Sequence, residues 1–134
     1  MAPWIWPVFA VSARGCQRWR HDCAALWGDE MKKVRITVVK MVRHDDLIEK
    51  YENPLEHACD MAVGQIFIAN GWKKPDGLCD SAWDSMSPFV MALAHGAGDF
   101  YDGWMKNKKS AMISCNDGFR PVSFLLEALT EDAQ

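Results

Sequence analysis

The chain has 134 residues and a mass of 15.2 kDa, with 49% hydrophobic residues, 25% charged residues and a formal charge of −3 at pH 7. That length holds one domain of ordinary size, and the composition excludes a collagen-like, coiled-coil or wholly disordered chain. The mild acidity offers no basic field to gather phosphates or an anionic lipid surface, so neither nucleic acid nor membrane is expected as a partner. No apolar run approaches the roughly 18 residues of a membrane span.

Residues 1–30 differ in composition from the remainder of the chain. Four of the seven tryptophans fall there (Trp4, Trp6, Trp19, Trp27), and the basic residues are Arg14, Arg18 and Arg20 without a lysine; from Met31 onward there are nine lysines against three arginines. A secretory signal would use the apolar stretch Pro3 to Val11 and the small residues Ala10 to Ala13, but it lacks a basic start and contains two prolines. An amphipathic anchor is broken by Pro3, Pro7 and Gly15, because proline removes a helical donor and clashes with the preceding turn. The favoured reading is a disordered leader or an over-extended start, with a single domain over residues 31–134.

From Lys33 the pattern becomes regular. Val34, Ile36 and Val38 alternate with Arg35 and Thr37, which predicts a half-buried strand. Asp45 is expected to cap a short helix to Tyr51, with Leu47, Ile48 and Tyr51 on one face and Pro54 beyond its end. Gln65 to Ala69 reads as a second strand closed by the turn pair Asn70 and Gly71, and Pro75, Asp76 and Gly77 make a further turn.

The main helix is expected from Asp80 or Ser81. Its apolar stripe is Trp83, Met86, Phe89, Val90 and Leu93, with Trp83 expected to contribute more to stability than any other tryptophan. Pro88 predicts a kink or a restart capped by Ser87, and Gly96 a left-handed stop. After a polar loop from Ala97 to Lys109, a hairpin is expected from Ala111 to Cys115 and Phe119 to Leu129, turning at Asn116, Asp117 and Gly118. The order β-α-β-α-β-β points to an α+β fold, a small, mostly antiparallel sheet with two helices on one face.

The motifs GQxF from Gly64, GWxxPxGxCxxAW from Gly71, a PxVxAL helix from Pro88 and CxDGxRPVxF from Cys115 occur in that order. Together they resemble a family of short bacterial and archaeal proteins for which no activity is established. The resemblance spans about residues 33 to 130 and implies that Trp72, Cys79, Trp83, Cys115, Asp117, Gly118, Arg120 and Pro121 occupy signature positions. The chain departs from the pattern at Asp60, where proline is expected, and at Ser114, where a further cysteine is common. Both departures count against a fixed multi-thiol site.

Five cysteines, Cys16, Cys23, Cys59, Cys79 and Cys115, form an odd, widely spaced set without a CxxC pair, which suits reduced thiols in a cytosol better than a disulfide framework. Cys79 is the leading candidate for chemistry because it opens the main helix, where unpaired backbone N–H groups favour a thiolate, although Asp80 opposes this; burial beneath Trp83 is the structural alternative. Cys59, Cys79 and Cys115, with His57 or His95, form a weak candidate metal set, because gaps of 20 and 36 residues lack a tight ligand knuckle. Asp117 and Arg120 read either as the rim of an anion site or as turn builders, with Arg120 pairing with an acid such as Asp117 or Glu127.

Trp72, Trp83 and Trp104 either line a cavity or fill the core. There is no P-loop, GxGxxG, HExxH or GxSxG motif, so no cofactor is assigned. Two functions remain. One is a cytosolic accessory or binding module that holds a small molecule or a redox partner protein between the main helix and the C-terminal hairpin, using Trp72, Cys79, Trp83, Cys115, Asp117 and Arg120. The other is a thiol-dependent enzyme or metal protein built on Cys79 and Cys115.

Overall fold

The computed structural model describes residues 31–130; the readings of the leader lie outside the described residues. Four strands, β1 (Val34–Met41), β2 (Ile66–Ala69), β3 (Ser110–Ser114) and β4 (Val122–Ala128), and two helices, α1 (Asp45–Tyr51) and α2 (Asp80–Ala94), follow one another as β-α-β-α-β-β. The sheet is antiparallel throughout, in the spatial order β2-β1-β4-β3, and the fold is α+β as expected.

The alternation in β1 sets the two faces. Val34, Ile36 and Val38 are fully buried and lie opposite Ala69 and Phe67 of β2, and opposite Ala128, Leu126 and Phe124 of β4. Between Val38 and Lys40 the register with β4 shifts, so Val39 is a bulged residue. Helix α2 lays Ala82, Met86, Val90, Leu93 and Ala94 onto this inner face. Burying side chains of this size contributes about 1.5 to 3 kcal/mol each.

Several local expectations are corrected. Pro88 does not restart α2, which runs unbroken through it: Pro88 and Asp84 both face solvent, so the carbonyl that loses its helical donor can be hydrated. Trp83 and Phe89 are half-buried at the margin of the core rather than its centre. The cap position of α2 is Cys79 and that of α1 is His44, neither with a side-chain cap bond, instead of Asp80 or Ser81 and Asp45.

The expected stop at Gly96 is present. With φ +87° it lets its own N–H reach Leu93 O and the N–H of Ala97 reach Ala92 O, the paired bonds that close a helix on a left-handed residue. The following loop folds tightly, since a Cβ on Gly98 would clash with Lys108 O. α1 buries none of its residues, so covering the inner face falls to α2 over β1, β3 and β4, and to the segment between Gly71 and Cys79 over β2. Among the described residues no helix is long and apolar enough to cross a membrane.

The inner face locates the stability. Phe124→Ala is expected to cost about 3 to 5 kcal/mol in denaturant unfolding, more than Trp83→Ala, because Phe124 is fully buried between β1 and β3 while Trp83 keeps a solvent-facing edge.

Candidate functional site

The sequence-predicted residues divide between the two ends of the sheet. β1 starts beside the end of β2, and Lys32 there donates its backbone N–H to Ala94 O at the end of α2. The start of α2 therefore lies at the opposite end, about 22 Å away along a 15-residue helix. Trp72 follows β2 at the first end and is 78% exposed; Cys79, Cys115, Asp117 and Arg120 lie toward the second. The described fold does not bring Trp72 and Cys79 to one pocket.

At the second end, the segment from Ser114 to Asn116 is docked onto the first turns of α2. Asn116 donates its N–H to Ser81 Oγ (3.2 Å) and its side-chain amide to Ser81 O (3.1 Å), and Ser85 Oγ donates to Ser114 O (2.7 Å). Cys115 is half-buried against the core. Its N–H donates to Val122 O (3.0 Å), and its Sγ accepts the N–H of Val122 (3.3 Å). Cys79 is exposed.

Asp117 and Arg120 organise the loop between β3 and β4. Asp117 Oδ1 accepts the backbone N–H groups of Phe119 (2.8 Å) and Arg120 (3.3 Å), the side-chain turn that aspartate favours. The Arg120 guanidinium reaches neither Asp117 nor Glu127 by hydrogen bond. Its Nη1 donates to Glu52 Oε1 at 2.8 Å, and the two side chains are only 18% and 9% exposed, while Glu127 is taken by Arg35.

The Glu52 hydrogen bond raises the Arg120 pKa, burial opposes it, and the charges of Glu52, Asp117 and Asp45 add to the rise. A raised pKa means that the charged guanidinium stabilises the fold at neutral pH, with the benefit lost as alkali titrates the group. Glu52 Oε2 is buried without a hydrogen-bond partner among the described residues. Phe119 O and Pro121 O accept the N–H groups of His44 and Val42, so the loop is fastened to the connection between β1 and α1.

Cys59 is exposed in the connection after α1, and among the described residues no three His, Cys, Asp or Glu side chains gather in a way that could hold a metal ion. Trp104 stands in an aromatic chain on the loop after α2, edge-on to Tyr101 at 5.3 Å, with Phe89 against Phe100 at 5.1 Å.

A cleft of about 360 Å³ opens elsewhere, where no motif pointed to it. It is lined by Ile66, Phe67 and Ile68 of β2 and by Asn70, Lys73, Lys74, Pro75 and Asp76 of the returning segment. β2 is an edge strand. Val38 donates to Gln65 O (2.9 Å) and accepts from Gly64 N–H (2.8 Å), so in the alternating antiparallel ladder Phe67 and Ala69 turn their main-chain groups to β1. Ile66 and Ile68 turn theirs to the open edge, where no partner meets them among the described residues. Their side chains lie on the uncovered outer face, 56% and 42% exposed. At the opposite edge Ser85 Oγ donates to Ser114 O at the end of β3, while Met112 turns its main-chain groups outward as Ile66 and Ile68 do. Lys74 pairs with Asp80, whereas Lys73 has no ion pair among the described residues. The sequence signal for this edge is isoleucine on the face of β2 that no helix covers.

No protein-family model, no curated protein and no solved structure matches the chain.

Two outcomes test the second end. Iodoacetamide labelling of the native protein should modify Cys115 last, after Cys59 and Cys79, because its sulfur is half-buried and accepts a backbone N–H; equal rates before and after denaturation would contradict that. Arg120→Met alone leaves a buried carboxylate without its donor, so it should melt at a lower temperature than the double variant Glu52→Gln with Arg120→Met.

Proposed function

We propose that this domain is a small binding module rather than a thiol enzyme, and that its working surface is the open edge of β2 with the adjoining cleft. The carrying observation is the coincidence of a cleft, outward main-chain groups at Ile66 and Ile68 without partners among the described residues, and exposed Val63, Ile66, Ile68 and Trp72 along the same stretch. Main-chain groups on an open strand edge are ready hydrogen-bonding capacity, and apolar side chains beside them add area to any contact.

The end that carries Cys79, Cys115, Asp117 and Arg120 supports binding less well. The bonds of Asn116, Asp117 and Arg120 are made within the domain, and they account for these residues as architecture. A cytosolic setting fits the odd cysteine count and the three unpaired described thiols, and the signature positions shared with the bacterial and archaeal proteins fit a common scaffold more readily than a common reaction.

Amide-resolved NMR tests the location. Titration with capped strand-forming peptides and small-molecule fragments, or raising the protein's own concentration, is expected to move resonances of residues 63–76. Movement confined to residues 79–83 and 115–120 overturns the reading in favour of the other end.

A further inference from the structure

We infer that the polypeptide received by the β2 edge is the same strand of a second copy, so that two chains join about a two-fold axis into one eight-stranded antiparallel sheet. This rests on the reading of β2 as the working edge and names its partner.

The register follows from which groups are unsatisfied. Within β2, only Ile66 and Ile68 present main-chain N–H and C=O groups outward, and an antiparallel neighbour bonds through pairs of residues that exchange both groups. A two-fold axis at Phe67 sets Ile66 opposite Ile68 of the second copy and Ile68 opposite its Ile66. Every outward group of both strands is then used, with none left over. A register centred on Ile66 or Ile68 would leave half of them unpaired. Self-complementarity of this kind is the requirement for a two-fold interface.

The side chains agree with that register. On the outer face each isoleucine meets an isoleucine, so that pairing covers part of two side chains per chain that are 56% and 42% exposed in the single copy. An antiparallel partner sets the end of one strand beside the start of the other, so Trp72, just after β2, and Val63, just before it, the two most exposed hydrophobic residues of this stretch at 78% and 62%, border the same ends of the contact. Ile66, Phe67, Ile68 and Ala69 include neither lysine nor proline, residues with which solitary edge strands commonly discourage pairing.

The test uses the full chain. Light scattering with size separation should find a dimer, and hydrogen exchange should find the Ile66 and Ile68 amides protected. Ile68→Pro removes a donor that faces outward and not toward β1, so it should give a monomer with an unchanged circular dichroism spectrum. Trp72→Ala, at a position where the single copy leaves the side chain exposed, should weaken dimerisation by about tenfold or more without altering the fold.

A monomer that still binds strand-forming peptides at residues 63–76 overturns the inference while leaving the binding-module reading intact. A monomer with protected Ile66 and Ile68 amides also overturns it, because another part of the chain would then occupy the edge. A dimer that survives both substitutions with those amides unprotected assigns the contact to a different surface and overturns it as well.

Discussion

The fold depends on the pairing of β1 with β4. These central strands come from the two ends of the described chain, and their inner residues, Val34, Ile36 and Val38 against Leu126 and Phe124, are the floor on which Met86, Val90 and Leu93 of α2 rest. A slip of one residue would turn every one of those side chains to solvent, so the hydrophobic pattern alone specifies the register strongly. On the outer face Arg35 donates through two nitrogens to Glu127 Oε2, directly opposite it; with both partly exposed, this pair is worth about 0 to 1 kcal/mol and adds little to a register that burial already sets.

From that pairing comes the rest of the layout. One 15-residue helix covers β1, β3 and β4 but does not extend over β2, whose inner face is covered instead by the returning segment, with Gly77 beside Phe67 and Leu78 buried. An irregular segment can shield a phenylalanine ring without supplying a ladder of hydrogen bonds to a strand edge. β2 is therefore satisfied below and on one side, and unsatisfied at its edge and on its outer face. The cleft is the geometric remainder of a sheet with one more strand than its helix can cover.

Local signals are legible in the sequence and distant ones are not. The alternation of Val34, Ile36 and Val38, the helical spacing of Met86, Val90 and Leu93, and the stop at Gly96 each depend on residues within a turn or a few strand positions. The chain writes such information contiguously. Pro88 misleads because its cost depends on whether the carbonyl of Asp84 can find water, which is decided by the helix face and not by the residue type. Arg120 misleads for a different reason: Glu52 lies 68 positions away, while the nearer acids are both engaged, Asp117 with the backbone and Glu127 with Arg35. The prominence of Trp72 comes from its type, yet its exposure is set by where the chain leaves β2.

A dense run of distinctive residues invites a catalytic reading, and residues 115–122 show how the same density arises from architecture. The connection from β3 to β4 must contact α2, the segment after β1 and the end of α1 while having no regular ladder of its own. Each contact therefore requires a specific polar group: the Asn116 amide for Ser81, the Asp117 carboxylate for the turn, and the Arg120 guanidinium for buried Glu52. Buried polar groups left unpaired cost more than paired ones contribute, so such a loop tolerates few alternatives. A binding edge made of main-chain groups and isoleucine side chains makes the opposite demand, since backbone N–H and C=O groups are supplied by nearly any residue. In this loop Asn116, Asp117 and Arg120 are accounted for by holding the scaffold, and the main-chain groups without partners among the described residues lie where the side chains are ordinary.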